Sequence, residues 1–336
     1  MIKVTVLTAI YNSEKYLRKC LDSLCEQTLR DIQIICIDDC STDSSPQILK
    51  EYAEKDNRIV CIRMEHNSGQ AVARNKGLEV ASGEYITMLD SDDWFAPDSL
   101  EIAYRSLKDN PEADCAVFQL QQYFEDSGCI KLYQNKTNKK VLTGEEAFKL
   151  SLDWQLHGLY VIKSDIHKLY PYDTSCRLFS DDNTTRQHYL HSRKVVLCEG
   201  DYYYRKHAES MTNACSILRF DYMEANLSMK NTLLKEIAEG KLTNPEEILN
   251  LYEEHRWLNL VGMYWYYYLH KDKFNNSESI EIERRIASML LTIEKKRIAP
   301  STKYKLGYYP FKSYHVFRFI ANFYFGLRNI IWKLKK

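Results

Sequence analysis

Asp90-Ser91-Asp92-Asp93 follows the apolar run Tyr85-Ile86-Thr87-Met88-Leu89 directly, so carboxylates on alternate residues project from the C-terminal edge of what reads as a buried strand. Magnesium and manganese are hard cations, commonly held by one or two protein carboxylates with phosphate oxygens and water completing the shell. The spacing points to a divalent metal and to a substrate carrying a diphosphate. Taken alone, the same acids before Trp94-Phe95-Ala96-Pro97 also suit a turn and a helix cap. A second pair, Asp181-Asp182, opens a helical stretch after Arg177-Leu178-Phe179-Ser180. Capping is the default use of aspartate there, and a general base acting on an acceptor hydroxyl is the chemical alternative.

Three more residues have side chains suited to a nucleotide. Asp39 ends an apolar strand, and its acceptor-only carboxylate matches the imino N–H of uracil, thymine or guanine. Tyr11 suits stacking on a base or ribose, or a place at the core edge. Arg74 suits a base or phosphate contact, or an ion pair at the surface.

The elements that must position these residues alternate between short β-rich runs and amphipathic helices over residues 3–120, the pattern of a parallel sheet covered on both faces. Strands are expected at Lys3 to Ala9, Gln33 to Ile37, Ile59 to Arg63, Tyr85 to Leu89 and Cys115 to Leu120. Between them, Leu17, Cys20, Leu21 and Leu24 follow helical spacing, Pro46 sits in a first helical turn, and Gln70 to Ala81 reads as a helix. Ligands of open α/β sheets bind outside the carboxyl ends of the strands. That rule gathers Thr8 to Asn12, Asp38 and Asp39, His66 to Gly69, and Asp90 to Asp93 on one rim. Residues 121–140 read as a polar loop or irregular excursion, and helical signals dominate from Thr143 onward.

The 336 residues, 45% hydrophobic and 27% charged, are enough for a large core in one domain with an appendage, or two domains. Ten cysteines without a Cys-x-x-Cys pair read as buried thiols in a reducing compartment. No signal-peptide pattern opens the chain and no run of 18 apolar residues occurs, so the expectation is a cytoplasmic protein, neither secreted nor membrane-spanning. A Rossmann Gly-x-Gly-x-x-Gly after the first strand and a P-loop are both absent, which argues against dehydrogenases and P-loop phosphotransferases.

The ordered set Val4-Thr5-Val6-Leu7-Thr8-Ala9-Ile10-Tyr11-Asn12, Gln27-Thr28, Ile37-Asp38-Asp39-Cys40-Ser41-Thr42-Asp43, Ala73-Arg74-Asn75-Lys76-Gly77, Ser82-Gly83-Glu84-Tyr85-Ile86 and Leu89-Asp90-Ser91-Asp92-Asp93 resembles the family 2 glycosyltransferases of GT-A fold. Phe179 to Asp182 and Tyr202-Tyr203-Tyr204-Arg205 resemble the weaker downstream pattern of that family. The resemblance implies a Rossmann-like α/β sheet flanked by helices over residues 1–220, its nucleotide-sugar half at 1–120 and its acceptor half at 121–220, with a helical extension at 221–336. It also implies an inverting transfer from a nucleotide-diphosphate sugar, a UDP-sugar in the first instance. The absence of a processive-synthase pattern and of membrane spans points to addition of one sugar, and the basic aromatic tail to a glycan or lipid-linked acceptor of cell-surface polysaccharide. Carried over by position, Thr8, Tyr11, Asp39, Arg74, Asp90 and Ser91 bind the donor, Asp92 meets Mn2+ or Mg2+, and Asp182 is the base with Asp181 as runner-up. The Gln-x-x-Arg-Trp pattern of processive synthases is absent, since His255-Arg256-Trp257 lacks the glutamine. A binding protein that retains nucleotide-sugar without chemistry is the competing class, and intact acids at 39, 92 and 182 argue against it.

Forty-six basic and 46 acidic residues balance overall, but residues 295–336 hold eleven Lys or Arg and no acid. Ser313 to Lys336 interleaves these with Phe317, Phe319, Phe323, Phe325 and Trp332, which suits a helix lying on the anionic inner face of the cell membrane. The same segment suits docking on the acidic body, or on a second subunit in a homo-oligomer. Nucleic acid is disfavoured because the acidic body repels phosphate.

Overall fold

The computed structural model describes residues 1–207, 215–305 and 313–334. It divides into two compact units, Met1–Ser210 and Met211–Lys336.

In the first unit the chain runs β1 (Val4–Ile10), α1 (Glu14–Cys25), β2 (Ile32–Asp38), α2 (Ser45–Lys55), β3 (Ile59–Arg63), α3 (Gln70–Leu78), β4 (Tyr85–Met88), β5 (Trp94–Phe95), α4 (Ser99–Asp109), β6 (Ala113–Phe124), β7 (Cys129–Leu132), β8 (Val141–Thr143), α5 (Gly144–Ser151), β9 (Tyr160–Lys163), α6 (Ser164–Leu169), α7 (Ser180–Leu190) and β10 (Lys194–Lys206). The sheet order is β3-β2-β1-β4-β9-β6-β10-β5, with β7 beside β6 and β8 beside β10. Strands β3, β2, β1 and β4 are parallel, so their carboxyl ends share one rim. Val4, Val6, Leu7 and Ile10 are fully buried, as a central parallel strand covered on both faces requires. Of the helical stripe on α1, Leu17, Cys20, Leu21 and Leu24 all enter the core.

Helices dominate after Thr143 as expected, and two strands, β9 and β10, interrupt them. Antiparallel β9 separates β4 from β6, and β10 runs parallel to β6. Two antiparallel steps restore the original direction, so β10 delivers its carboxyl end to the rim already formed by β1 and β4. Residues 121–140 also differ from the expected loop, because β6 continues to Phe124 and turns through Gly128 into β7. Polar Gln121 and Gln122 hide the extension of that strand beyond Leu120; Gln119 and Gln121 each donate from Nε2 to Asp201 Oδ1 at 2.9 Å, so these amides are satisfied within the sheet. Cys61, Cys129 and Cys215 are exposed, while Cys20, Cys36, Cys115 and Cys198 are the buried thiols.

The second unit holds α8 (Asp221–Ala238), α9 (Pro245–His270), α10 (Asn276–Thr292), α11 (Pro300–Lys305) and α12 (Tyr314–Leu334). Its core includes Trp257, Tyr264, Tyr267, Ile282, Ile286, Phe317, Ala321 and Phe325. Arg256 is buried on α9, where Nη1 meets Glu253 at 2.7 Å and Nη2 donates to Thr292 Oγ1 at 2.6 Å. His255-Arg256-Trp257 therefore has a packing role. Among the described residues, no helix is long and apolar enough to cross a membrane.

Candidate active site

The Asp90–Asp93 segment leaves β4 as a turn closed by the Asp93 amide donating to the Asp90 carbonyl at 3.0 Å. Two elements clamp it. From α3, Arg74 is buried and its Nη2 donates to Asp90 Oδ1, while its guanidinium lies 5.4 Å from the Tyr172 ring centre. Helix α3 comes this close because residue 77 is glycine: a Cβ there would lie 2.7 Å from Ile37 Cδ1. From β10, the Tyr202 hydroxyl donates to Asp93 Oδ2 at 2.8 Å, the Arg205 amide donates to Asp93 Oδ1 at 2.7 Å, and Arg205 Nε donates to the Asp92 carbonyl at 2.8 Å. Arg205 is itself boxed by the rings of Tyr16, Trp94 and Tyr123.

These bonds divide the acids by role. Asp90 and Asp93 are held by protein partners, whereas Asp92 Oδ2 lies 3.0 Å from His207 Nε2 at the end of β10. Burial raises the Asp90 carboxyl to about 6; Arg74 opposes the rise, and Asp92 and Asp181 add to it. Burial, then the charges of Asp92 and Asp90, push the Asp93 carboxyl well above the ordinary carboxylate range. Among the described residues no group of three His, Cys, Asp or Glu side chains could hold a metal ion; Asp92 and His207 form a carboxylate–imidazole pair.

Along the rim, the Ser91 hydroxyl meets that of Ser13 at 2.7 Å, tying the acid loop to the loop after β1. Asn12 adopts a left-handed φ of 49°, and its Oδ1 accepts from the Thr42 amide at 2.8 Å, joining that loop to the one after β2. Asp39 accepts from the amides of Ser68 and Gly69, both at 2.8 Å, with Gly69 at a φ of 90°. Tyr11 stands half exposed beside these loops in sequence, whereas Thr8 is fully buried within β1 and its hydroxyl makes no hydrogen bond.

Asp181 and Asp182 occupy the first turn of α7, where Phe179 precedes them at a φ of 67°. Of the pair, Asp181 lines a small cavity with Met88, Tyr160, His167 and Tyr172, and acts electrostatically on both Arg74 and Asp90. Asp182 is buried with Oδ2 at 3.6 Å from Arg186 Nη2, a residue buried as deeply. Burial raises the Asp182 carboxyl to about 7, with Arg186 opposing and Asp181 adding to the rise. The structure thus brings Arg74, Asp90 and Asp181 into one electrostatic cluster, and sets Asp182 against Arg186. Sequence reasoning missed His207 and Arg186, and named Tyr202 and Arg205 only as part of the downstream pattern, without a role. The alternation of Arg205 and His207, which puts both on one side of an extended chain, was the available signal for His207.

The sequence profile of glycosyl transferase family 2 matches residues 5–162. Glycosyltransferase GlyG of Streptococcus pneumoniae is 30% identical over 219 residues, an alignment covering 62% of this chain and 72% of GlyG. The chain belongs to glycosyl transferase family 2. Another relative of this family 2 chain, the poly(ribitol-phosphate) beta-glucosyltransferase of Bacillus spizizenii, is 34% identical over 208 residues, covering 60% of this chain and 32% of that protein. The chain spans about a third of the length of several curated relatives that it matches. In fold it is similar to S. aureus TarS 1–349 solved in complex with UDP-GlcNAc, with a TM-score of 0.70 at 19% identity over 88% of this chain and 82% of that one. The family 2 chain therefore has the GT-A architecture expected from its motifs.

Proposed function

We propose that this family 2 chain is an inverting, metal-dependent glycosyltransferase. It moves one sugar from a nucleotide-diphosphate sugar, a UDP-sugar first, to a hydroxyl of a glycan or lipid-linked acceptor of cell-surface polysaccharide, at the cytoplasmic face of the membrane. The observation that carries the reading is the Asp92–His207 pair on a loop clamped by Arg74, Tyr202 and Arg205. A divalent cation fits this donor set, since one carboxylate oxygen and one imidazole nitrogen leave its other positions to diphosphate oxygens and water. Asp92 and His207 would hold it, and Mn2+ or Mg2+ there offsets charge on a departing diphosphate. The UDP preference draws support from the TarS complex, and the surface polymer from the poly(ribitol-phosphate) relative.

The chain's own residues supply the rest. Asp39 keeps acceptor capacity beyond its two amide bonds, because a carboxylate offers about four lone-pair sites, and it meets the imino N–H of the base. Tyr11 and Ser91 line the nucleoside side, and Arg74 holds Asp90 where the ribose arrives. Asp182, with Asp181 as the alternative, takes the proton of the acceptor hydroxyl. The freed oxygen attacks the anomeric carbon opposite the diphosphate, the bond from that carbon to the diphosphate oxygen breaks, and nucleoside diphosphate leaves. One displacement inverts the configuration.

The test is release of nucleotide from a panel of nucleotide sugars by wild type and Asp92→Ala, with Mn2+, with Mg2+ and with chelator, reading donor binding in the same samples. Metal-dependent release from one donor, lost in the variant, is expected. Tight binding without release, even with a glycan acceptor library present, assigns the chain to the binding-protein class. No binding of any donor sinks the nucleotide-sugar reading.

A further inference from the structure

Helix α12 is apolar on two opposite faces. Phe317, Ala321 and Phe325, in steps of four, enter the core of the second unit. On the other side Val316, Phe319, Phe323, Leu327 and Ile330 follow steps of three and four, one continuous stripe by helical periodicity. All five are exposed, Phe319 to 75% and Phe323 to 66%. Soluble proteins rarely leave aligned large apolar side chains in water, and such a patch marks an interaction surface.

Charge decides which partner. From Lys295 to Lys336 the chain carries eleven basic residues and no acid. Within α12 two of these are placed: Arg318 pairs with Glu283 at 2.6 Å, and Arg328 lies 5.3 Å from the Trp265 ring centre and remains exposed. Lys335 and Lys336 lie outside the described residues. A second copy meeting the first along this stripe would bring two acid-free basic segments together, with His315, Asn322 and Asn329 in place of the acids that pair across helical seams. An anionic lipid surface neutralises the same charge, attracting each nearby Lys or Arg, while headgroup-level burial takes up the aromatic stripe.

We propose that the outward face of α12 docks on an anionic lipid surface, laying the helix in the interface without spanning it. The proposal deepens the membrane-side reading above, and its measurement needs no turnover, so either can fail alone.

The experiment is flotation of the full chain with phosphatidylcholine vesicles, with and without phosphatidylglycerol, at low and high salt. Wild type is expected to float with the anionic vesicles, more weakly with neutral ones and more weakly in salt. Phe319→Ser with Phe323→Ser lowers anionic binding on the order of tenfold or more, with circular dichroism and nucleotide-sugar hydrolysis unchanged. Lys335→Glu with Lys336→Glu, which reverses the charge and removes no apolar side chain, lowers binding to anionic vesicles alone. Failure of wild type to float overturns the proposal, as does undiminished flotation of both variants. A discrete dimer in sedimentation velocity that the serine variant dissociates assigns the stripe to a second copy instead.

Discussion

His207 Nε2 lies 3.0 Å from Asp92 Oδ2, and among the described residues no backbone amide or arginine is hydrogen-bonded to that carboxylate, unlike those of Asp90 and Asp93. If the pair holds a cation, Asp92→Ala costs several kcal/mol of transition-state stabilisation, about 10³-fold in kcat/KM. His207→Ala leaves the carboxylate and raises the Mn2+ concentration needed for half-maximal nucleotide release, by about tenfold or more. A metal titration of the three proteins reads both. Identical titration curves for wild type and His207→Ala would remove the histidine from the site.

The proposed general base has a pH signature. Asp182 is raised to about 7 by burial, so its accepting form predominates above that pH and is lost as pH falls through it. Turnover is expected to rise with pH through about 7 and level off. Asp182→Asn lowers kcat about 10²–10⁴-fold with little change in donor binding. Arg186→Gln removes the cation that opposes the rise and moves the acid limb upward. Asp181→Asn, in contact with the Arg74–Asp90 cluster through charge, acts mainly on donor affinity. The reverse assignment of kcat and affinity effects makes Asp181 the base.

Asp39 caps the Ser68 and Gly69 amides and is the residue proposed to meet the base. Asp39→Ala leaves two amides without their acceptor, each such loss being worth about 1–3 kcal/mol when the group is buried. Donor affinity is expected to fall about tenfold or more by equilibrium binding, with kcat at saturating donor changed much less. An unchanged affinity would separate Asp39 from base recognition.

Glu253 is fully buried in the second unit, with Lys230 Nζ at 2.8 Å and Arg256 Nη1 at 2.7 Å from the same oxygen. Removing it takes away the carboxylate that buried Arg256 pairs with, leaving that guanidinium its bonds to Thr292 and leaving Lys230 to Glu294 at 3.1 Å. Glu253→Ala is expected to destabilise the helical unit by about 3–5 kcal/mol, measured by chemical denaturation of the full chain. Glu281→Ala, on the exposed side of α10, serves as the comparison and costs about 1 kcal/mol or less.

The residues that face the rim from β1 to β4 were legible because each stands at the end of a local pattern: an apolar strand, then polar side chains, then a capped helix. Parallel strands of this kind fix their ligand edge by periodicity and connection length alone, so Asp39, Arg74 and Asp90 to Asp93 could be named, and the family with them. Short β9 and the part of β6 beyond Leu120 carried no comparable local signal, because their polar groups are satisfied by partners more than 70 residues away. Tertiary structure alone decided that two antiparallel steps bring β10 back to the same rim, and hence that Tyr202, Arg205 and His207 meet acids more than 100 residues earlier. It also divided Asp181 from Asp182, since adjacent positions on a helix point about 100° apart and only the packing of α7 determines which faces the cavity and which faces Arg186.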